Sequence, residues 1–165
     1  MDIILGEIDK AIKCELCYSA IVIALKLPDV CAALESKDGR TSKAKYIAWY
    51  NTNVKEEEDY LTAEYCYSLR CGVIHQGTLA NTGAEYERVL FTIPTKPKSV
   101  TLNNNVINNA LNLDAVMFCD NIKRSVNSWF NNNANNSYVK ANHVNLVQLR
   151  RNGLSPYIIG VPLIA

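Results

Sequence analysis

The sequence predicts a mainly α-helical fold: an antiparallel bundle with a small β-hairpin and an extended C-terminal tail. Three observations predict it. Apolar residues recur at i, i+4 through most of the first half of the chain. A short β-prone stretch interrupts that pattern near the middle, and the end is punctuated by Gly153, Pro156, Gly160 and Pro162. The 165 residues suit one domain, with a bundle over about 1–77 plus 112–131, a β-rich insertion over about 86–107 and a tail over about 140–165.

Ile4, Ile8, Ile12, Leu16, Ile23 and Leu27, with Ala20 in the gap, form one long stripe, so a single first helix is expected up to Pro28. Proline should end it, because the ring removes a helical hydrogen bond. A short helix over 30–34 and a turn at Ser36-Lys37-Asp38-Gly39 follow. Thr41 or Ser42 can cap a third helix carrying Ala44, Ile47, Ala48 and Val54. The acidic run Glu56-Glu57-Glu58-Asp59 suits a solvated face and the positive end of the next helix. That helix, from about Tyr60, carries the stripe Leu61, Tyr65, Leu69 and Val73 and stops at Gly77. Runs over 89–93 and 99–102, separated by Pro94-Thr95-Lys96-Pro97, read as a hairpin or two short strands. Asn103 to Asn105 and Asn108-Asn109 read as turns. A fifth helix over 113–130 has Val116, Met117, Ile122, Val126, Trp129 and Phe130 as core candidates, and the asparagine run after it reads as a polar loop. The tail holds too many apolar residues (Tyr157, Ile158, Ile159, Leu163, Ile164) for a free end and is expected to pack along the body.

The net charge of +1 gives no general attraction to nucleic acid or anionic membrane, so any polyanion needs a local patch. The longest wholly apolar run falls short of the roughly 20 residues of a bilayer span. Met1-Asp2 opens without a basic leader segment, so the six cysteines are expected as reduced thiols in a cytoplasmic protein. Cys14-Glu15-Leu16-Cys17 is a C-x-x-C pair. Its place inside the first helix, with no second ligand pair, favours core thiols over a metal or redox centre.

Arg70-Cys71-Gly72-Val73-Ile74-His75 carries the chemistry. Histidine titrates nearest neutral pH, and the arginine fork matches phosphate oxygens. Five positions in a helix separate two side chains by roughly 140°. Arg70 and His75 are therefore expected to converge only where the helix ends or loosens, as Gly72 permits, or across a groove reached from two sides. A plainer reading makes both side chains C-terminal caps of the helix. Lys37, Arg40, Lys43 and Lys45 form the densest basic cluster, and Arg150-Arg151 is a second; each can track a phosphate backbone or serve as a solvated face. Tyr46, Trp49 and Tyr50 can stack bases or pack in the core. His143, the second of two histidines, lies among Asn142, Asn145 and Gln148 and reads as a loop residue.

The stretch from Tyr67 to Gly77 resembles the R-x(4–6)-H motif of the HEPN superfamily: an arginine late in a helix, four intervening residues, and a histidine followed closely by glycine. The resemblance covers about the first half of the chain and the fifth helix. It implies a helical bundle and a metal-independent endoribonuclease without cofactor, acting as a homodimer in phage defence, toxin–antitoxin or stress control. Arg70 and His75 are then the catalytic pair, and Cys71, Gln76, Lys37, Arg40 and Lys43 weaker substrate contacts. An antitoxin or defence-complex protein is an implied further partner, and a membrane is not. Cys71 stands where members commonly carry Asn, Asp or His. Gln76, Gly77 and Thr78 leave no tyrosine just after the histidine for the modification that silences one branch. A non-catalytic RNA- or protein-binding module of the same fold stays open beside the enzyme, as does a structural partner in a larger complex.

Overall fold

The computed structural model describes residues 1–54, 61–79, 86–94 and 101–165. Among them, the helices are α1 (Asp2–Lys13), α2 (Cys17–Leu34), α3 (Lys43–Asn53), α4 (Ala63–Gln76), α5 (Ala115–Asn133) and α6 (Ser137–His143). The strands are β1 (Arg88–Thr92), β2 (Asn105–Ile107), β3 (Ala110–Asp114), β4 (Leu149–Arg150), β5 (Gly153–Leu154), β6 (Ile158–Ile159) and β7 (Leu163–Ile164). The protein is mainly helical, with α2 at the centre in contact with α1, α3, α4, α5 and α6. The acidic run at 56–59 and most of the segment between the two expected strands lie outside the described residues.

The first 34 residues depart from expectation twice. The single long helix divides at Cys14–Leu16. Glu15 adopts φ 60°, its N–H bonds to the Ile12 carbonyl at 3.0 Å, and Leu16 N–H to that of Ala11 at 2.8 Å. This pairing is a Schellman stop with glutamate where glycine is usual. Neither glycine nor proline marks it, so the stripe reads straight through. Conversely, α2 runs through Pro28 to Leu34. An interior proline costs about 3 kcal/mol of helix propensity, but Leu25, Leu27 and Pro28 are all buried here. The Tyr46 hydroxyl donates to the Leu25 carbonyl at 3.1 Å, in the turn that the ring loosens. Burial thus outweighs propensity. The 18 residues of α2 are apolar and long enough to cross a membrane, but 61% of them are buried inside the fold. Its two charged residues are Lys26, exposed, and Asp29, buried.

Caps set the other helices. Ser42 caps α3, accepting from Lys45 N–H at 3.3 Å, and Val54 follows the helix as its C-cap. Thr62 caps α4, which begins three residues later than expected. The C-terminus of α2 is closed by Asn142 of α6, whose side-chain amide donates to the carbonyls of Leu34 at 3.0 Å and Ser36 at 2.8 Å. Those carbonyls lack helical partners of their own.

The β element differs from the expected hairpin. β1 pairs with β3 in parallel and β2 pairs with β3 antiparallel, giving the order β1-β3-β2. The tight turn is Asn108-Asn109, with φ of 50° and 59°, which suits asparagine. Residues 101–102 are not strand. β3 runs straight into α5, where the Asp114 carboxylate accepts from Val116 and Met117 N–H at 2.9 and 3.0 Å. Met117 is 47% exposed rather than core. Asn131 to Asn133 belong to α5, and Asn136 caps α6, so the expected polar loop is mostly helix. The tail does not pack along the body as expected. It folds on itself as two small antiparallel pairs, β4 with β7 and β5 with β6, leaving Tyr157, Ile159 and Ile164 exposed.

Candidate functional site

Arg70 and His75 meet without any break in the helix, contrary to expectation: α4 is continuous from Ala63 to Gln76, and Arg70 Nη1 lies 3.3 Å from His75 Nε2. Helical side chains lean toward the N-terminus, so the imidazole tilts back over the preceding turn. The long arginine covers the remaining arc. Arginine has only donors, so a hydrogen bond between the two requires His75 Nε2 as the acceptor.

Arg70 is held from behind by Asp29. Arg70 Nε donates to Asp29 Oδ2 at 2.6 Å, and the Thr41 hydroxyl donates to Oδ1 at 3.1 Å. Asp29 is buried among the apolar residues of α2, where an ionised carboxylate persists only with partners. Partial burial disfavours the Arg70 charge, but Asp29 and the Cys71 sulfur outweigh it and hold the guanidinium above its ordinary value. Arg70 Nη1 also reaches Cys71 Sγ at 3.8 Å. Among the described residues Nη2 has no protein partner. His75 is exposed. The pair therefore presents one guanidinium edge and one imidazole to solvent.

No family model, curated protein or solved structure matches this chain.

Tyr67, one turn before Cys71, widens the site. Its ring lies edge-on to Tyr46 at 5.2 Å. The Arg70 guanidinium is 5.9 Å from its centroid, and Lys43 Nζ is 5.8 Å from it. Burial, then a hydrogen bond to Cys71, raises the Tyr67 phenol above its usual value. Lys43 is the one member of the expected basic cluster joined to the motif in this way. Lys45 pairs with Asp38 at 3.2 Å, while Lys37, Arg40 and Gln76 are exposed without a contact to the pair. Arg150 and Arg151 belong to the tail. Tyr46, Trp49 and Tyr50 are buried, so they pack rather than stack bases. His143 closes α6, packing on Phe130 at 5.2 Å and lying 3.4 Å from the N-terminal amine, away from any contact with Arg70.

The C-x-x-C pair is not inside a helix as expected; it spans the α1–α2 break, with Cys14 exposed and Cys17 buried. Among the described residues no three His, Cys, Asp or Glu side chains converge as a metal site. Burial pushes the Cys119 thiol up to about 12, with Asp120 and Cys17 adding to it, which makes it a poor nucleophile.

Asp29, Thr41 and Tyr67 are the site residues that the sequence reading missed. Asp29 had a signal: it is the sole carboxylate in a mostly apolar 18-residue stretch, where burial requires a cationic partner.

Gly72 serves the site differently from the expected loosening. Gly77, at φ 66°, caps α4, and both its N–H and that of Thr78 return to the Gly72 carbonyl. A Cβ at Gly72 would sit 2.7 Å from the Thr78 carbonyl oxygen. Gly72→Ala is expected to destabilise the protein by about 1–3 kcal/mol despite alanine's better helix propensity. Gly6→Ala, in α1 with nothing within 4 Å, is expected to stabilise it. Thermal unfolding of both variants checks the contrast, and equal gains would sink this account of the cap.

Proposed function

We propose that this chain is a metal-independent endoribonuclease of HEPN type, with the bundle of that superfamily, cleaving RNA at a site shared by two copies. The observation that carries the reading is the 3.3 Å contact between Arg70 Nη1 and His75 Nε2, with Arg70 pinned by Asp29 and His75 exposed. In the proposed step, Arg70 Nη1 turns from His75 Nε2 to the phosphate, His75 Nε2 takes the ribose 2′-OH proton and the 2′-oxygen attacks phosphorus. The P–O5′ bond breaks, and the departing oxygen takes a proton from a second, protonated imidazole. Arg70 Nη2, with Lys43 behind Tyr67, stabilises the charge that develops on the phosphorane oxygens. The products are a 2′,3′-cyclic phosphate and a 5′-hydroxyl.

His143 packs on Phe130 without a contact to Arg70, which favours His75 of a second copy as the acid. A two-fold axis would place two Arg70–His75 pairs in one cleft. The proposal extends to a cytoplasmic homodimer acting in phage defence, toxin–antitoxin or stress control, opposed or joined by a protein partner.

Asp29 also favours a second reading. It neutralises much of the Arg70 charge, as it would in a module that binds RNA or protein without cutting. One experiment separates the two: incubation of the purified protein with single-stranded RNA in EDTA, alongside sedimentation at micromolar concentration. Cleavage to cyclic-phosphate ends by a dimer is the expected result. Intact RNA that is nonetheless bound moves the assignment to the binding module, and a monomer that cleaves removes the two-copy mechanism.

A further inference from the structure

A second site lies apart from the Arg70 pair. Glu35 at the end of α2, Thr52 and Asn53 at the end of α3, and Asn133 at the end of α5 surround an open cleft of about 250 Å³ floored by Trp49 and Trp129. The two indoles meet edge to face at 5.9 Å. Much of the donor capacity of the walls is already spent. Thr52 spends its hydroxyl proton on the Ala48 carbonyl at 2.8 Å. Asn53 and Asn133 each spend one of two amide protons on the carbonyls of Trp49 and Trp129, at 2.8 and 2.9 Å. Trp129 Nε1 donates to Glu35 Oε2 at 3.1 Å. Trp49 Nε1 is buried and has no hydrogen-bond partner among the described residues.

Among the side-chain groups that line the cleft, acceptors outnumber the donors left over: Glu35 Oε1, the two asparagine oxygens and the Thr52 oxygen, against one remaining N–H on each asparagine. One of the acceptors is negatively charged and is oriented by an indole. An acceptor-rich wall with a fixed carboxylate selects a cation with several diverging donors. A guanidinium offers five, in a rigid plane. The indoles add an aromatic floor that favours a delocalised cation over water. We propose that this cleft is a guanidinium-binding site, filled either by a free small molecule or by an arginine side chain of a protein partner. The site is independent of any RNA chemistry at Arg70.

The molecule carries its own probe, because its two tryptophans both line the cleft. Arginine amide, titrated in the low millimolar range with far-UV dichroism constant, is expected to change tryptophan fluorescence saturably. Citrulline amide, its uncharged isostere, should need at least a tenfold higher concentration. Glu35→Gln, which keeps an acceptor for Trp129, should weaken the arginine response at least tenfold. Asn133→Asp, which adds a second carboxylate at the rim, should strengthen it and supplies an independent variant. A short arginine-containing peptide that saturates tenfold earlier than arginine amide points to a protein partner, and equal saturation to a free ligand. A linear response, or equal responses to arginine and citrulline amides, overturns the proposal. So does an Asn133→Asp variant that binds arginine amide no better.

Discussion

Replacing His75 with alanine is expected to lower RNA cleavage by about 10²–10⁴-fold, the range for loss of a positioned acid or base. Stability should move by no more than about 0.5 kcal/mol, because the imidazole is exposed and its substitution leaves no cavity. The sharper variant is His75→Gln. Glutamine can still accept from Arg70 Nη1, so the guanidinium keeps its orientation, but its amide cannot shuttle a proton near neutral pH. Cleavage should fall as far in His75→Gln as in His75→Ala, while RNA binding by His75→Gln stays within about twofold of the parent protein. If His75→Gln retained most of the activity, the imidazole would be a holder for Arg70 and not a proton carrier. Arg70→Ala should differ from both, because it removes the proposed phosphate clamp and leaves Asp29 buried without its cation. It is expected to lose binding, cleavage and stability together. A mixed dimer carrying Arg70→Ala in one copy and His75→Ala in the other adds a test of the shared cleft, since one intact copy of each residue remains.

The helices were legible where periodicity, a cap and burial agree. Ser42 marks a true helix start, followed by residues whose buried side chains continue the pattern, whereas the Thr62 cap was passed over and that helix was expected from about Tyr60. The reading failed where one local rule was set against tertiary packing. Pro28 is a strong stop signal, yet both its neighbours and Tyr46 reward continuing the helix. Glu15 is a poor residue for positive φ, yet the two flanking helices each find a partner surface once the chain turns there. Strand pairing was beyond reach for a different reason. β1 and β3 are joined in parallel across an intervening strand, and nothing local in either segment encodes that non-adjacent choice.

The candidate site shows the same division. Arg70 and His75 are visible as a motif because they sit close in sequence. Their meeting on a continuous helix was misjudged because a wheel of Cα positions ignores the reach of arginine and the backward tilt of helical side chains. Asp29 lies 41 positions before Arg70, and the ion pair forms only because α2 and α4 pack together. Of the two residues offered as caps, Ser42 takes the cap and Thr41 binds Asp29. The exposed apolar tail was misread because apolar count alone does not say whether a surface exists to receive it.

Asp29→Asn is expected to destabilise the protein by about 3 kcal/mol, at the lower end of the 3–5 kcal/mol for breaking a buried pair from one side. The lower end applies because the Arg70 side chain is 19% exposed and can turn partly into water, whereas Asp29 is 7% exposed. The pairing itself contributes less than that loss suggests, since both charges gave up hydration to form it. The double variant Asp29→Leu with Arg70→Met should therefore recover most of the stability lost in either single variant, because it leaves no uncompensated charge in the interior. Urea unfolding of the two single variants and the double gives the coupling directly. Additive losses would mean that Asp29 and Arg70 contribute separately, and the anchoring role would fall. Function should not recover with stability. In the double variant the guanidinium proposed to face phosphate is gone, so RNA cleavage is expected to stay lost although the protein is folded. In Asp29→Asn, an arginine free to swing away should depress single-turnover cleavage more than RNA affinity, because a loose cation still attracts phosphate but no longer meets the developing charge. Equal losses in both would make Asp29 a support for the fold alone.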